Sequence, residues 1–163
     1  MVGSLNNARN KDELDAERIT LTINMCHTCT GDSREVHVPF RDQVDENFNK
    51  MLCTILPQIA SALLNNCRVL VHCYAGISRS VSMCTAYLMI VYSKTFDEAI
   101  CEITLLRPQA DMNFGFCCGL AELGDRSAAN LAELRSILTN TGLSTVERSV
   151  KFAHAFAKGG TPE

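Results

Sequence analysis

The sequence predicts an α/β domain, a central mixed, mostly parallel sheet flanked by helices. Three observations predict it. Short β-branched and apolar runs lie between turn-rich stretches. Longer segments with apolar residues at helical spacing separate those runs. One run, Val69-Leu70-Val71, is apolar without alternation, as expected of a strand covered on both faces.

Taken in order, Arg18 to Met25 mixes β-branched and apolar residues and predicts a buried strand, and Glu35 to Pro39 a second, shorter one. From Glu46 to Asn65 the positions Phe48, Leu52, Leu56, Ile59 and Leu63 recur at helical spacing, with Pro57 expected to bend the helix and Asn65-Asn66 to stop it. Cys67 to Cys73 reads as the central strand. After the loop from Tyr74 to Arg79, the stretch from Ser80 to Tyr92 is apolar almost all round, which predicts a helix packed inside the domain. Thr95 to Glu98 forms a capping box for a helix that Pro108 ends, and Asn113 to Leu123 is a further helical piece.

Beyond Gly124 the composition shifts. Residues 1–125 are expected to form the catalytic domain and 126–163 a helical extension packed on or beside it. That extension holds two amphipathic helices, Ala128 to Leu138 and Ser144 to Ala157, whose Leu131, Leu134, Leu138, Val146, Val150 and Phe156 suit packing against the domain. The Gly-rich end, Lys158 to Glu163, is expected to be disordered.

With 163 residues, 47% hydrophobic and 20% charged, the chain can bury one sizeable core. The formal charge of −3 suggests neither a nucleic-acid binder nor a protein drawn to anionic lipid. Nine cysteines are many, but the number is odd and Met1 to Leu14 has no secretory apolar core, so a reducing compartment is expected, the cytoplasm and with it the nucleus. The longest apolar run, Ala86 to Tyr92, falls short of a membrane span.

The informative segment is His72-Cys-Tyr-Ala-Gly-Ile-Ser-Arg-Ser80. It puts a cysteine at the end of a buried strand, a short loop after it and a helix behind. The backbone N–H groups of such a loop, from Tyr74 through Ala75, Gly76, Ile77 and Ser78 to Arg79, converge with those of the helix start on a point that favours an anion. Gly76 lets the backbone curl, and Arg79 can hold two phosphoryl oxygens with its planar fork. A cysteine in that field has a pKa on the order of 3.5–7.5, so Cys73 is expected to be a thiolate that attacks phosphorus. Ser80 is expected to donate a hydrogen bond to the sulfur and His72 to orient the loop from behind.

The leaving oxygen needs a proton. Asp42 and Asp45, both in the loop after the second strand, are the candidates, because loops after strands gather where the phosphate loop emerges. Asp45 suits the N-cap of the helix from Glu46, so Asp42 is the expected acid.

These blocks resemble the dual-specificity branch of the protein tyrosine phosphatase superfamily, whose signature is His-Cys, two residues, Gly, two residues, Arg-Ser/Thr. His72, Cys73, Gly76, Arg79 and Ser80 match it. Gly3-Ser4 with Ala8 looks like the family's opening segment, and Val38-Pro39 to Asp42, followed by Asn47, like its acid loop. Asp42 lies 31 residues before Cys73, in the family's register. Phe96 to Ala99, Arg107-Pro108 and Asn113 to Phe116 look like the family's later block, in which the asparagine buttresses the phosphate loop. The family's first strand is shortened or lost here, and Met112 and Gly119 stand where Pro and Gln are frequent.

The resemblance implies a small, atypical, cofactor- and metal-free hydrolase acting on phosphotyrosine and phosphoserine or phosphothreonine. The expected partner is a phosphoprotein, a protein kinase among the candidates, with no nucleic acid or membrane and the oligomeric state open. The variable loop positions carry no cation, which favours a protein over a phosphoinositide or an RNA 5′-triphosphate. The rival readings are a catalytically idle phospho-binding module on the same fold and a thiol enzyme of the rhodanese or arsenate reductase kind. Cys26-His-Thr-Cys29 has the spacing of half a zinc site, without a second pair, and reads as two unbridged thiols. Cys67 and Cys84 are candidates to trap Cys73 as a disulfide on oxidation.

Overall fold

The structure is a computed structural model that describes residues 1–159. Four strands, β1 (Val2–Ser4), β2 (Leu21–Asn24), β3 (Glu35–His37) and β4 (Val69–Cys73), form one sheet in the order β1-β4-β2-β3. Every pairing is parallel, so among the described residues the sheet is wholly parallel rather than mixed. Parallel neighbours need long crossovers. The chain supplies them as helices α1 (Leu5–Arg9) and α2 (Lys11–Ala16), the 25–34 loop, and helix α3 (Phe48–Leu64).

Strand β4 is buried throughout and lies between β1 and β2, as its unbroken apolar run predicts. Successive side chains point to opposite faces. Val69, Val71 and Cys73 enter the main core, whereas Leu70 joins Ala8, Leu14 and Ile19 in a smaller cluster under α1 and α2. Cys73 therefore emerges on the face shared with α3 and the following helix, α4 (Arg79–Tyr92). Helix α4 buries residues all round, from Arg79 and Val81 to Met89 and Ile90. Helices α5 (Phe96–Leu106) and α6 (Phe114–Gly124) pack against it.

Several boundaries differ from the sequence reading. Strand β2 starts later than Arg18, because Arg18 adopts a positive φ of 53° and turns the chain so that Ile19 packs under α2. Helix α3 is capped by Asn47, whose side chain accepts the Lys50 N–H, and not by Asp45. Pro57 sits inside α3 without ending it. Its ring is buried in the core, and it removes a single N–H from a helix held by tertiary packing. The capping boxes Thr95–Glu98 and Ser144–Glu147 both form.

Helices α7 (Ala128–Thr139) and α8 (Thr145–Lys158) lie over α3 and α4. Leu134, Leu138, Phe152, Ala155 and Phe156 belong to the same cluster as Leu52, Ile55, Leu56 and Ile59. Val146 and Val150, expected to pack inward, are exposed; the inward face of α8 carries Arg148, Phe152, Ala155 and Phe156 instead. Arg148 is 2% exposed and donates to Ser61 Oγ on α3 and to the carbonyls of Ile137 and Asn140 at the end of α7. A cation at a helix C-terminus is well placed against the helix dipole, so one guanidinium joins three helices. Lys158 is helical, and of the tail expected to be disordered, residues 160–163 lie outside the described residues.

The two faces of α8 should respond oppositely to substitution. Phe152→Ala is expected to cost about 3–5 kcal/mol in urea unfolding, as for a fully buried aromatic. Val146→Ser and Val150→Ser should stay within about 0.5 kcal/mol. Equal losses on both faces would contradict this packing.

Candidate active site

The loop from Tyr74 to Ser78 joins β4 to α4, and its shape is set by what its carbonyls do. Tyr74 O accepts from Leu5 N at 3.0 Å, Ala75 O from Arg107 Nη2 at 3.0 Å, Gly76 O from Arg107 Nε, and Ile77 O from Asp111 N at 2.8 Å. Four successive carbonyls thus point outward. In a trans peptide the N–H points opposite to the carbonyl, and no cis bond occurs among the described residues. The N–H groups of Ala75, Gly76, Ile77 and Ser78 therefore turn inward, forming the concave array that binds anions. Gly76 has φ of 71°, and a Cβ there would collide with the backbone of Gly3 and with Arg107.

Cys73 Sγ lies at the floor of that array, 1% exposed. It accepts the Gly76 N–H at 3.2 Å and lies 3.3 Å from Ser80 Oγ. Burial pushes the thiol pKa up, but hydrogen bonds from the Ser80 hydroxyl and N–H, the Arg79 charge and the Gly76 N–H outweigh it and hold the pKa below the ordinary 9.0. Other thiols go the opposite way. Burial pushes Cys53 and Cys84 up to about 11 and raises Cys26 as well.

Arg79 is 7% exposed. Its Nη1 donates to Met25 O at 3.1 Å and Phe40 O at 2.8 Å, carbonyls in the loops after β2 and β3. Those bonds fix the plane of the fork. Its Nε is buried without a hydrogen-bond partner and lies 3.6 Å from Asp42 Oδ2. Asp42 is thus brought to the loop. Its Oδ1 accepts from Ser78 Oγ at 2.6 Å and from Asn113 Nδ2 at 2.8 Å. Asp45 points elsewhere, exposed and 3.6 Å from Arg41 Nη2.

Residues 1–126 match the dual specificity phosphatase catalytic-domain family. The chain belongs to that family. Human dual specificity protein phosphatase 8 is 33% identical over 139 residues, 82% of this chain and 22% of that protein. Human dual specificity protein phosphatase 15 is 30% identical over 142 residues, 85% of this chain and 48% of that protein. The family domain described here therefore spans between about a fifth and a half of those relatives. In structure it is similar to DUSP15, with a TM-score of 0.77 at 29% identity over 84% of this chain and 88% of that one. Human DUSP28 gives 0.71 at 26% identity over 77% and 90%.

Within this dual-specificity phosphatase domain His72 is fully buried behind the loop, its ring nitrogens without hydrogen-bond partners, and burial lowers its pKa. It sits behind the loop as a neutral ring against the Cys73 backbone. Asn113 reaches the phosphate loop with its backbone N–H, which donates to Ser78 Oγ at 3.2 Å, while its side chain caps α6 and binds Asp42. Arg107, read in the sequence only as a helix end and part of a family block, braces two loop carbonyls. Its spacing from the loop gives no hint of that. Cys29 Sγ lies 3.1 Å from His37 Nδ1 and apart from the loop, and no cluster of three or more metal-ligating side chains forms among the described residues.

A pH titration of thiol alkylation tests the electrostatics. A lowered pKa keeps the thiolate as pH falls, so Cys73 should reach half-maximal reaction with iodoacetamide below pH 9.0, and Ser80→Ala should move that midpoint upward. A wild-type midpoint at or above 9 would contradict the hydrogen-bonded thiolate.

Proposed function

We propose that this chain hydrolyses phosphate monoesters on proteins, at phosphotyrosine and at phosphoserine or phosphothreonine, through a cysteinyl-phosphate. One observation carries the reading: Arg79, whose buried Nε–H has no hydrogen-bond partner, stands at the exit of the loop that holds a thiol with a pKa lowered in part by its charge. A buried unsatisfied donor is costly. A phosphoryl oxygen bound there satisfies it, and the inward N–H groups take the other equatorial oxygens.

In the first step the Cys73 thiolate attacks phosphorus, the phosphorus–oxygen bond of the ester breaks, and Asp42 gives its proton to the leaving oxygen. In the second, water attacks phosphorus, Asp42 takes a proton from that water, and Cys73 departs as thiolate. Ser80 Oγ, which also lies 3.4 Å from Gly3 O, donates a hydrogen bond to the sulfur once the sulfur carries the charge. Asp42 supports this role by position, since one oxygen is tied to the loop and the other lies beside Arg79.

The relatives named above are protein phosphatases by name, which supports a protein substrate here. The loop's own surface supports it as well. Tyr74, Ala75, Ile77 and Ser78 carry no charge, and Arg107, the nearby cation, is engaged with loop carbonyls. Cytoplasmic or nuclear phosphoproteins are the proposed substrates.

Turnover of an aryl phosphate with chelator present separates an enzyme from an idle phospho-binder. Cys73→Ser should abolish it, and Asp42→Ala should lower kcat about 10²–10⁴-fold with little change in substrate binding. Phosphopeptides retained by the Asp42→Ala protein would show the phosphoresidue preferred. Binding of phosphopeptides by wild type with no turnover would replace this reading with the idle module.

A further inference from the structure

We propose that the N-terminus of α6 is the seat on which the acid-bearing loop closes, and that Gly115 is a positioning residue for general-acid catalysis. The inference rests on the reading of Asp42 as the acid.

The segment between β3 and α3 ties itself together at the surface, where the Arg41 N–H donates to Glu46 Oε2 and its guanidinium to Gln43 Oε1. Phe40 is buried, but Arg41 through Asp45 are exposed, with Val44 at 65%. Besides Arg79, which donates to Phe40 O and lies beside Asp42, two contacts from outside the segment hold it. Asp42 Oδ1 accepts from Ser78 Oγ and Asn113 Nδ2, one on the phosphate loop and the other at the cap of α6. Two residues along α6 from that cap, the backbone of Val44 rests directly on Gly115.

The closeness of that second contact depends on the missing side chain. A Cβ at Gly115 would have the carbonyl carbon and Cα of Val44 at 2.8 Å, with the carbonyl oxygen nearer still. These are backbone atoms, so no rotamer change relieves the clash and the loop itself must lift. One turn further along the same face, a Cβ at Gly119 would strike the Phe48 ring at the start of α3. The Gly115–Gly119 face thus receives both the acid loop and the helix it leads into. Gly115 does not lie in the left-handed region. Alanine there carries no backbone strain, and it is the better helix former. Helix preference and loop seating therefore pull in opposite directions at this position.

The seat also selects which oxygen of Asp42 works. Oδ1, held by two donors, acts as the acceptor, which leaves the proton to Oδ2, 3.6 Å from Arg79 Nε. A lifted loop loses that aim while the thiolate and the anion cradle stay intact.

The test compares wild type, Gly115→Ala, Ser78→Ala and Asp42→Asn on two aryl phosphates, p-nitrophenyl phosphate, whose leaving group needs little protonation, and phenyl phosphate, whose leaving group needs much. The readout is the ratio of their kcat/KM values. Asp42→Asn should raise that ratio about 10²-fold. Gly115→Ala should raise it about tenfold or more with a Tm equal to or above that of wild type, and Ser78→Ala should raise it in the same direction. A steep ratio in Asp42→Asn with wild-type ratios in both seat variants overturns the seat and leaves the acid assignment standing. A wild-type ratio in Asp42→Asn overturns the acid assignment itself. Should Gly115→Ala fail to fold, Ser78→Ala, which deletes a single hydroxyl oxygen, decides alone. A loss equal for both esters in Ser78→Ala then overturns the proposal.

Discussion

The site depends on where four peptide carbonyls point. A short loop has no reason of its own to turn a row of N–H groups inward, since each is equally content facing water. Leu5 N, the Arg107 guanidinium and Asp111 N pull the opposing carbonyls outward, from three separate parts of the chain. The inward N–H array is in that sense a property of the rim. The N-terminal helix, the end of α5 and the turn before α6 set the loop's polarity, and Cys73 and Arg79 use it.

The same arrangement explains why the Cys73 thiol departs from those of Cys26, Cys53 and Cys84. Cys26 is buried too, and burial drives its thiol toward the neutral form, as desolvation does at the half-buried Cys53 and Cys84. Cys73 is buried among donors. Desolvation then strengthens each hydrogen bond to the sulfur, because little water competes for it. Chemical individuality among identical side chains arises here from donor geometry, not from exposure.

Much of this was legible in the sequence. Val69 to Val71 announced the central strand by lacking alternation, and the spacing from Cys73 to Arg79 announced the anion loop with a guanidinium at its exit. The parts that were not legible involve contacts remote in sequence. Arg107 braces the loop across 31 positions, and Asn113 reaches Asp42 across 71. No periodicity encodes such pairings. The sequence favours Asp42 over Asp45 on the ground that Asp45 caps the next helix, a ground that fails because Asn47 caps α3, and the direction of Val146 and Val150 needed the rotation of α8 about its axis. On that helix the hydrophobic pattern misleads, because a charged residue, Arg148, occupies the buried stripe.

Strand β4 carries one further implication. Its odd residues feed the main core and end in Cys73, while Leu70 feeds the small cluster under α1 and α2. Gain or loss of one residue between Val69 and Cys73 would exchange the two faces, sending the sulfur toward the N-terminal helices and a ring or a branched chain toward the cradle. Replacements leave the alternation of faces intact, whereas single-residue insertions and deletions reverse it. The register of a five-residue strand thus ties the burial of apolar mass and the aim of the Cys73 sulfur to a single constraint.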